Sequence, residues 1–261
     1  ELGGAAGQGV QSLGAVLSRC FSLGGLHVFA DQDYESRIRG GHNFFRIRVK
    51  DKPVQAIDEA TNILIALNQE TIDLHRGELA PQGVILCDSD QIKSAAGDSA
   101  CFSLPMERLA QEKAGNKLMA NSVATGAAIA MVGYDFELLA KALRQQFSSA
   151  GEAVVEANVT AARAGYEQAS QQFKSDLGRG LKPVGGPKRM LINGNEAIAM
   201  GAIAAGCRFM SSYPMTPTTT IMEYMAGIAA EYGLVVVQAE DEIAALNMVV
   251  GACFAGTRAM A

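Results

Sequence analysis

Tryptophan is absent from this chain, histidine occurs only three times, and no two of the five cysteines stand in a C-x-x-C pair. Cys20, Cys87, Cys101, Cys207 and Cys253 are scattered, which argues against a disulfide framework and against a metal cluster held by this chain alone. The same usage suits a reducing cytoplasm. His27, His42 and His75 are equally isolated and read as ordinary structural residues, so no metal ligand is assigned. Arg and Lys form no run or stripe and the net charge is −5, so nucleic acid is not expected as a partner. Long unbroken apolar runs are missing as well. The stretches near 197–207 and 243–256 are interrupted and rich in Gly and Ala, and read as buried helices, not membrane spans. No secretion signal is expected ahead of them.

What remains is 261 residues, 49% hydrophobic and 19% charged, a balance that suits a soluble α/β protein with a large core in two domains. The chain begins at Glu1 inside a Gly-rich motif and reaches Ala261 without a closing element, so both ends are expected to be cut from a longer polypeptide. "ELGGAAGQGVQSLGAVLSRCFSLGG" reads as a Gly-rich turn, then a helix from about Val10 to Phe21 ended by Gly24-Gly25. "LHVFA", "NFFRIRVK", "NILIALN" and "GVILCDS" carry strand patterns, and helical patterns follow at 116–132, 135–147 and 151–172. The alternation argues for a layered α/β domain over 1–177. A Gly/Pro-rich stretch then marks a linker, 178–189. In 190–261 a helix over "NEAIAMGAIAAGC", a second from about 218 to 232, the strand "LVVVQA" and an acid-led helix repeat the alternation, which stops before a full sheet is built.

Four stretches carry possible chemistry. Gly7-Gln8-Gly9 ahead of a helix is either a tight turn or an anion contact at a helix N-terminus; a dinucleotide fingerprint fails at Ser12, where a third glycine is required. In "DYESRIRGGHNFFRIRV", Arg37 and Arg39 are either solvated and paired with Asp33 and Glu35, or grip an anionic group. In "SSYPMTPTTT", Pro214 and Pro217 force Tyr213 and Thr216 toward extended backbone. Thr216 then precedes a helix that Pro217 can start, where its hydroxyl and open N–H groups at 218–220 either cap the helix or bind a carboxylate or phosphate. In "QAEDEIAALNMVVGACF", capping accounts for Glu240 and Asp241. Glu242 shares a helical stripe with Leu246, Val249 and Cys253, where a buried acid is costly without a task.

Taken together, "GGAAGQGVQSLG", "DYESRIRGGHNFFRIRV", "LIALNQETIDLH", "GNEAIAMGAIAAGCRFMSSYPMTP" and "VQAEDEIAALNMVVGACFAGTRAM" resemble the 2-oxoacid:ferredoxin oxidoreductases. The resemblance is to the subunit in which a γ-type domain is fused ahead of the α-type, pyrimidine-binding domain. It implies oxidative decarboxylation of a 2-oxoacid (2-oxoglutarate first, pyruvate behind) with coenzyme A to an acyl-CoA, carbon dioxide and reduced ferredoxin. It implies thiamine diphosphate shared with a β subunit, and Mg2+ and a 4Fe-4S cluster held by that partner, in a dimer of heterodimers. By similarity Glu242 matches the cofactor-activating glutamate, whose carboxyl hydrogen-bonds the pyrimidine ring nitrogen and favours the imino tautomer. Thr216 lies near the substrate carboxylate, with Tyr213 and Pro214 on the cofactor side and Thr218 toward the substrate. Arg37 and Arg39 are assigned to assembly or to coenzyme A. The family's isoleucine between Pro214 and Thr216 is Met215 here. Two other functions stay in play: an NAD(P)-dependent dehydrogenase using Gly7-Gln8-Gly9, and a non-catalytic assembly module.

Overall fold

The computed structural model describes residues 1–33, 41–93, 97–174, 177, 180–187 and 189–261. Arg37 and Arg39 lie outside them. The chain divides into two compact units, Glu1–Arg189 and Met190–Ala261.

The first unit is built on a six-stranded sheet, with a large core on one face and a smaller one on the other. Its strands are β1 (Leu2–Ala5), β2 (His27–Asp33), β3 (His42–Lys50), β4 (Thr61–Ala66), β5 (Leu79–Asp88) and β6 (Cys101–Leu104), in the order β2-β3-β1-β4-β5-β6. β1, β4, β5 and β6 are parallel neighbours, whereas β3 runs antiparallel to both β1 and β2. The helices are α1 (Val10–Leu23), α2 (Gln69–His75), α3 (Met106–Ala114), α4 (Ala120–Met131), α5 (Phe136–Gln146) and α6 (Glu152–Gln172).

The larger core joins Leu13, Leu17 and Phe21 of α1 to Ile129 of α4, Leu139 of α5 and Val159 of α6. A smaller core on Leu64, Ile85 and Cys87 receives Ile72 of α2 and Ile92. A central parallel strand must therefore be apolar toward both faces, as "ILIA" of β4 and "VILC" of β5 are. Within the larger core α4 and α6 touch backbone to backbone. A Cβ on Gly126 would stand 1.8 Å from the Ala162 carbonyl oxygen, and one on Gly165 2.1 Å from that of Val123.

The described part of the 178–189 stretch packs on this first unit. Leu181 and Val184 join its core, and the Val184 N–H donates to the Gly24 carbonyl at 2.8 Å. The start of the chain corrects the expectation of a Gly-rich turn, because Leu2–Ala5 is a paired strand. Glycine has low strand propensity, but here α2 lies so close that a Cβ on Gly3 would sit 2.6 Å from Thr71 Cγ2. The pattern over 116–132 also divides into a 3-10 turn at Lys117–Met119 and then α4.

The second unit holds a three-stranded parallel sheet, β7 (Phe209–Ser212), β8 (Val235–Gln238) and β9 (Ala259–Met260), in the order β8-β7-β9. Its helices are α7 (Gly194–Ala204), α8 (Thr219–Gly227), the single turn α9 (Ala229–Tyr232) and α10 (Glu242–Phe254). The helix expected over 218–232 is thus two pieces, separated at Ile228. A small core of Ala199, Cys207, Met210, Ile221, Met222, Met225 and Leu234 joins α7 and α8 to the sheet. α10 contributes one buried side chain, Ala245.

Candidate functional site

α7 begins with a reciprocal cap. Asn193 Oδ1 accepts from the Glu196 N–H at 2.9 Å, and the Asn193 N–H donates to Glu196 Oε2 at 2.9 Å. The cap fixes the first turn of α7, where Asn195 Nδ2 donates to the Pro217 carbonyl at 2.7 Å and also to Thr220 Oγ1. The "SSYPMTPTTT" turn is thereby tied to the helix that precedes β7. Nothing in the sequence singled out Asn195; the N-x-x-E spacing of the cap was the available signal.

The turn folds back on Met215. The N–H groups of Thr218 and Thr219 both donate to the Met215 carbonyl, at 2.8 and 3.0 Å, as does the Thr218 hydroxyl at 2.9 Å. The expectation that the amides of 218–220 stand open to an anion is corrected for those two, since the turn itself consumes them. Helix α8 starts at Thr219, two residues later than a proline-led start would place it, and the Thr216–Pro217 peptide is cis. Tyr213, Met215, Thr216 and Thr218 are exposed, and Pro214 is half-buried.

α10 is capped by Asp241, whose Oδ1 accepts from the Ala244 N–H at 2.7 Å. Glu242 is the first residue of the helix, exposed, and its carboxylate lies where the helix dipole favours negative charge. The stripe that follows it is open within this chain: Leu246 is 57% exposed, Cys253 is exposed and Val249 half-buried. The expected burial of Glu242 is therefore corrected. The side chains of Met190–Ala261 do not supply it, because the two-helix core lies under α7 and α8 and leaves the outer side of α10 uncovered.

Topology brings the two segments to one edge. β7 and β8 are parallel neighbours, with Ser212 opposite Gln238, and the Ala239 N–H donates to the Ser212 carbonyl at 3.0 Å. The chain leaves the carboxyl end of β7 into Tyr213–Thr218 and the carboxyl end of β8 into Glu240–Glu242. Ligands of open parallel α/β sheets bind beyond that edge.

In the first unit, Gly7-Gln8-Gly9 follows the carboxyl end of β1. Gln8 Oε1 accepts from the Ala5 N–H at 2.6 Å, Gln8 Nε2 donates to the Leu67 carbonyl at 3.3 Å, and Asn121 Nδ2 donates to the Gln8 carbonyl at 2.7 Å. These bonds make it a braced turn. A separate cavity of about 580 Å³, lined by Leu17, Phe21, Arg46, Arg48, Ile65 and Leu181 among others, was not indicated by any motif.

With the geometry in place, comparison with known proteins decides the family. Residues 2–168 match the family model described as "Pyruvate ferredoxin/flavodoxin oxidoreductase". The chain belongs to that family. Residues 200–261 match the companion model described as "Pyruvate flavodoxin/ferredoxin oxidoreductase, thiamine diP-bdg". Subunit alpha of 2-oxoacid:ferredoxin oxidoreductase 2 from Aeropyrum pernix is 27% identical over 99% of this chain and 49% of its own length. The 2-oxoglutarate synthase subunit KorA of Methanothermobacter thermautotrophicus is 55% identical over 69 residues, 26% of this chain and 18% of that one.

Among solved structures, 2-oxoglutarate:ferredoxin oxidoreductase from Magnetococcus marinus, with 2-oxoglutarate, coenzyme A and succinyl-CoA bound, matches with a TM-score of 0.86 and 27% identity. The match covers 99% of this chain and 46% of that one. The γ subunit of a keto/oxoacid ferredoxin oxidoreductase from Geobacter sulfurreducens matches 64% of this chain and 95% of its own, with a TM-score of 0.53 and 29% identity. The chain thus spans about half the length of the curated oxidoreductase subunits that it matches throughout. Among the described residues, no helix is long and apolar enough to cross a membrane.

Proposed function

We propose that this chain is part of the γ–α subunit of a 2-oxoacid:ferredoxin oxidoreductase, with 1–177 as the γ-type domain, 178–189 as the linker and 190–261 as the first part of the pyrimidine-binding domain. The reaction is oxidative decarboxylation of a 2-oxoacid with coenzyme A to an acyl-CoA, carbon dioxide and reduced ferredoxin. The KorA relatives and the Magnetococcus marinus structure favour 2-oxoglutarate as substrate. A β subunit carrying Mg2+ and a 4Fe-4S cluster completes the enzyme, with ferredoxin as electron acceptor.

The observation that carries this reading is the emergence of Thr216 and Glu242 from the carboxyl ends of the adjacent parallel strands β7 and β8. The residues present fit thiamine diphosphate. A single carboxylate at a helix N-terminus suits one hydrogen bond to a ring nitrogen, and the uncovered Leu246 supplies apolar surface for a flat heterocycle. When bound, that cofactor supplies a nucleophilic carbon and an electron sink for the decarboxylation. Glu242 holds the proton at the pyrimidine ring nitrogen and sets the orientation of the ring. Tyr213 and Pro214 line the approach to it. The Thr216 hydroxyl orients the 2-oxoacid carboxylate; Thr218 stands on the substrate side with its own hydroxyl given to the Met215 carbonyl, and Asn195 keeps the turn in place through Pro217 and Thr220. Arg37 and Arg39 are proposed for the anionic groups of coenzyme A.

Glu242→Ala in the reconstituted complex should lower kcat by several orders of magnitude while leaving subunit assembly intact. A loss smaller than about tenfold, roughly 1.4 kcal/mol of barrier, would remove Glu242 from this role.

A further inference from the structure

The first unit contains a cluster of titratable groups that the proposed reaction does not use. His75, the last residue of α2, is buried, and its Nδ1 lies 3.1 Å from Glu1 Oε1 and 3.2 Å from Glu78 Oε2. The three donor atoms lie within 4.8 Å of one another. One ring nitrogen offers one proton or one lone pair, so it satisfies only one of two carboxylate oxygens at a time. Glu78 takes that hydrogen bond. Glu1 Oε1 is left buried with no hydrogen-bond partner, on a side chain only 1% exposed. An anionic oxygen in that state is costly unless a cation faces it. Arg46 is near enough to feel both carboxylates, but Asp31 holds its guanidinium with two hydrogen bonds, at 3.0 and 3.1 Å.

We propose that Glu1, His75 and Glu78 form a divalent-cation site suited to Zn2+. Two donors each about 2.0–2.1 Å from a tetrahedral zinc stand roughly 3.3 Å apart, close to the spacing of His75 Nδ1 from either carboxylate. The surroundings orient the ligands as such sites require. His42 Nε2 lies 2.8 Å from His75 Nε2, and this pairing fixes the ring and leaves Nδ1 for the ion. Thr61 Oγ1 donates to Glu1 Oε2 at 2.8 Å and leaves Oε1 facing His75. The Glu78 side chain is 41% exposed and gives the ion a route in from solvent. Three protein ligands leave the fourth position to water. A bound ion ties the residue before β1 to the end of α2, and through His42 to the start of β3. The sequence assigned these histidines no such part, because thirty-two residues and a strand separate His42 from His75.

The test measures binding, not turnover, so it stands apart from the fate of Glu242. The purified protein, stripped with a chelator and dialysed, is titrated with Zn2+ in competition with a chromophoric chelator. Saturable uptake of one equivalent is expected, with a rise in melting temperature. Glu78→Gln, at an exposed position that leaves folding intact, should weaken the affinity more than about tenfold, and so should Glu1→Gln. His42→Ala should weaken it about 10- to 100-fold, as loss of an outer hydrogen-bond partner does. Co2+ in place of Zn2+ should show the strong visible absorption of a tetrahedral site in the parent and lose it in Glu78→Gln. Absence of stoichiometric uptake, or uptake unchanged in both glutamate variants, overturns the proposal.

Discussion

Single residues show how far neighbours alter intrinsic chemistry. Asp98 accepts a hydrogen bond from Arg76 and another from the Ala100 N–H, and these hold its pKa down to about 2. A folded-state pKa below the unfolded value means that the interaction stabilises the protein above about pH 4 and is lost as pH falls toward 2. Arg76→Ala should return Asp98 toward the ordinary carboxylate range, seen by NMR titration of its carboxyl carbon; an unchanged midpoint would show that Arg76 is not the cause. The cysteines divide by burial. Desolvation pushes the Cys20 and Cys87 thiols up to about 12, and both are fully buried, whereas Cys253 is exposed. In the native chain at pH 8, iodoacetamide should modify Cys253 and spare Cys20 and Cys87 until the protein is unfolded, as peptide mass mapping would reveal. None of this was readable from cysteine spacing, which excludes clusters but says nothing of depth.

At the scale of elements, the long helices and the strands built on runs of Val, Ile and Phe were legible, whereas β1, β6 and α2 were not. Val10–Leu23 and Glu152–Gln172 carry a pattern long enough to declare their period. β1, β6 and α2 are short, and their sequences "LGGA", "CFSL" and "QETIDLH" carry too few positions for a period to show. The pairing of α4 with α6 was equally hidden, since glycine in a helix reads only as a weak point until the opposing backbone is known. Gly126→Ala places a methyl group against the Ala162 carbonyl, a backbone atom that moves only if the helices separate. It should destabilise the first unit by about 3 kcal/mol, the upper part of the overpacking range, in urea unfolding followed by circular dichroism. Gly77→Ala, which meets no atom within 4 Å, serves as the control and should change stability by less than about 0.5 kcal/mol.

For the whole molecule, the difference between the two units is one of core. The first has a large apolar core on one face of its sheet and a smaller one on the other, over β4 and β5; the second has one small core on three strands, with Ile243, Leu246, Val250 and Phe254 of α10 exposed, Phe254 at 96%. Small cores give marginal units. Calorimetry of this chain should therefore show two transitions, the cooler one belonging to Met190–Ala261, with the buried Cys207 as its reporter, and the warmer one to Glu1–Arg189. A single cooperative transition would contradict this. The open side of α10 also explains why Glu242 reads as buried from its stripe and is exposed here. An apolar stripe declares that a surface is to be covered, and the cover need not come from the same stretch of chain.

The sequence by itself determined the layered α/β class, the long helices, the family, and the two motifs around Thr216 and Glu242. Each of these is a local pattern, written in periodicity, in proline and glycine placement and in short motifs. Only the tertiary structure decided that those motifs leave neighbouring strands on one edge, that Asn195 braces the threonine turn, and that the turn uses up its own amides. It alone brought His42, His75 and Glu1 within bonding reach. The reason is physical: strand pairing and helix packing join residues that lie dozens of positions apart, and no local pattern records which distant residue will arrive.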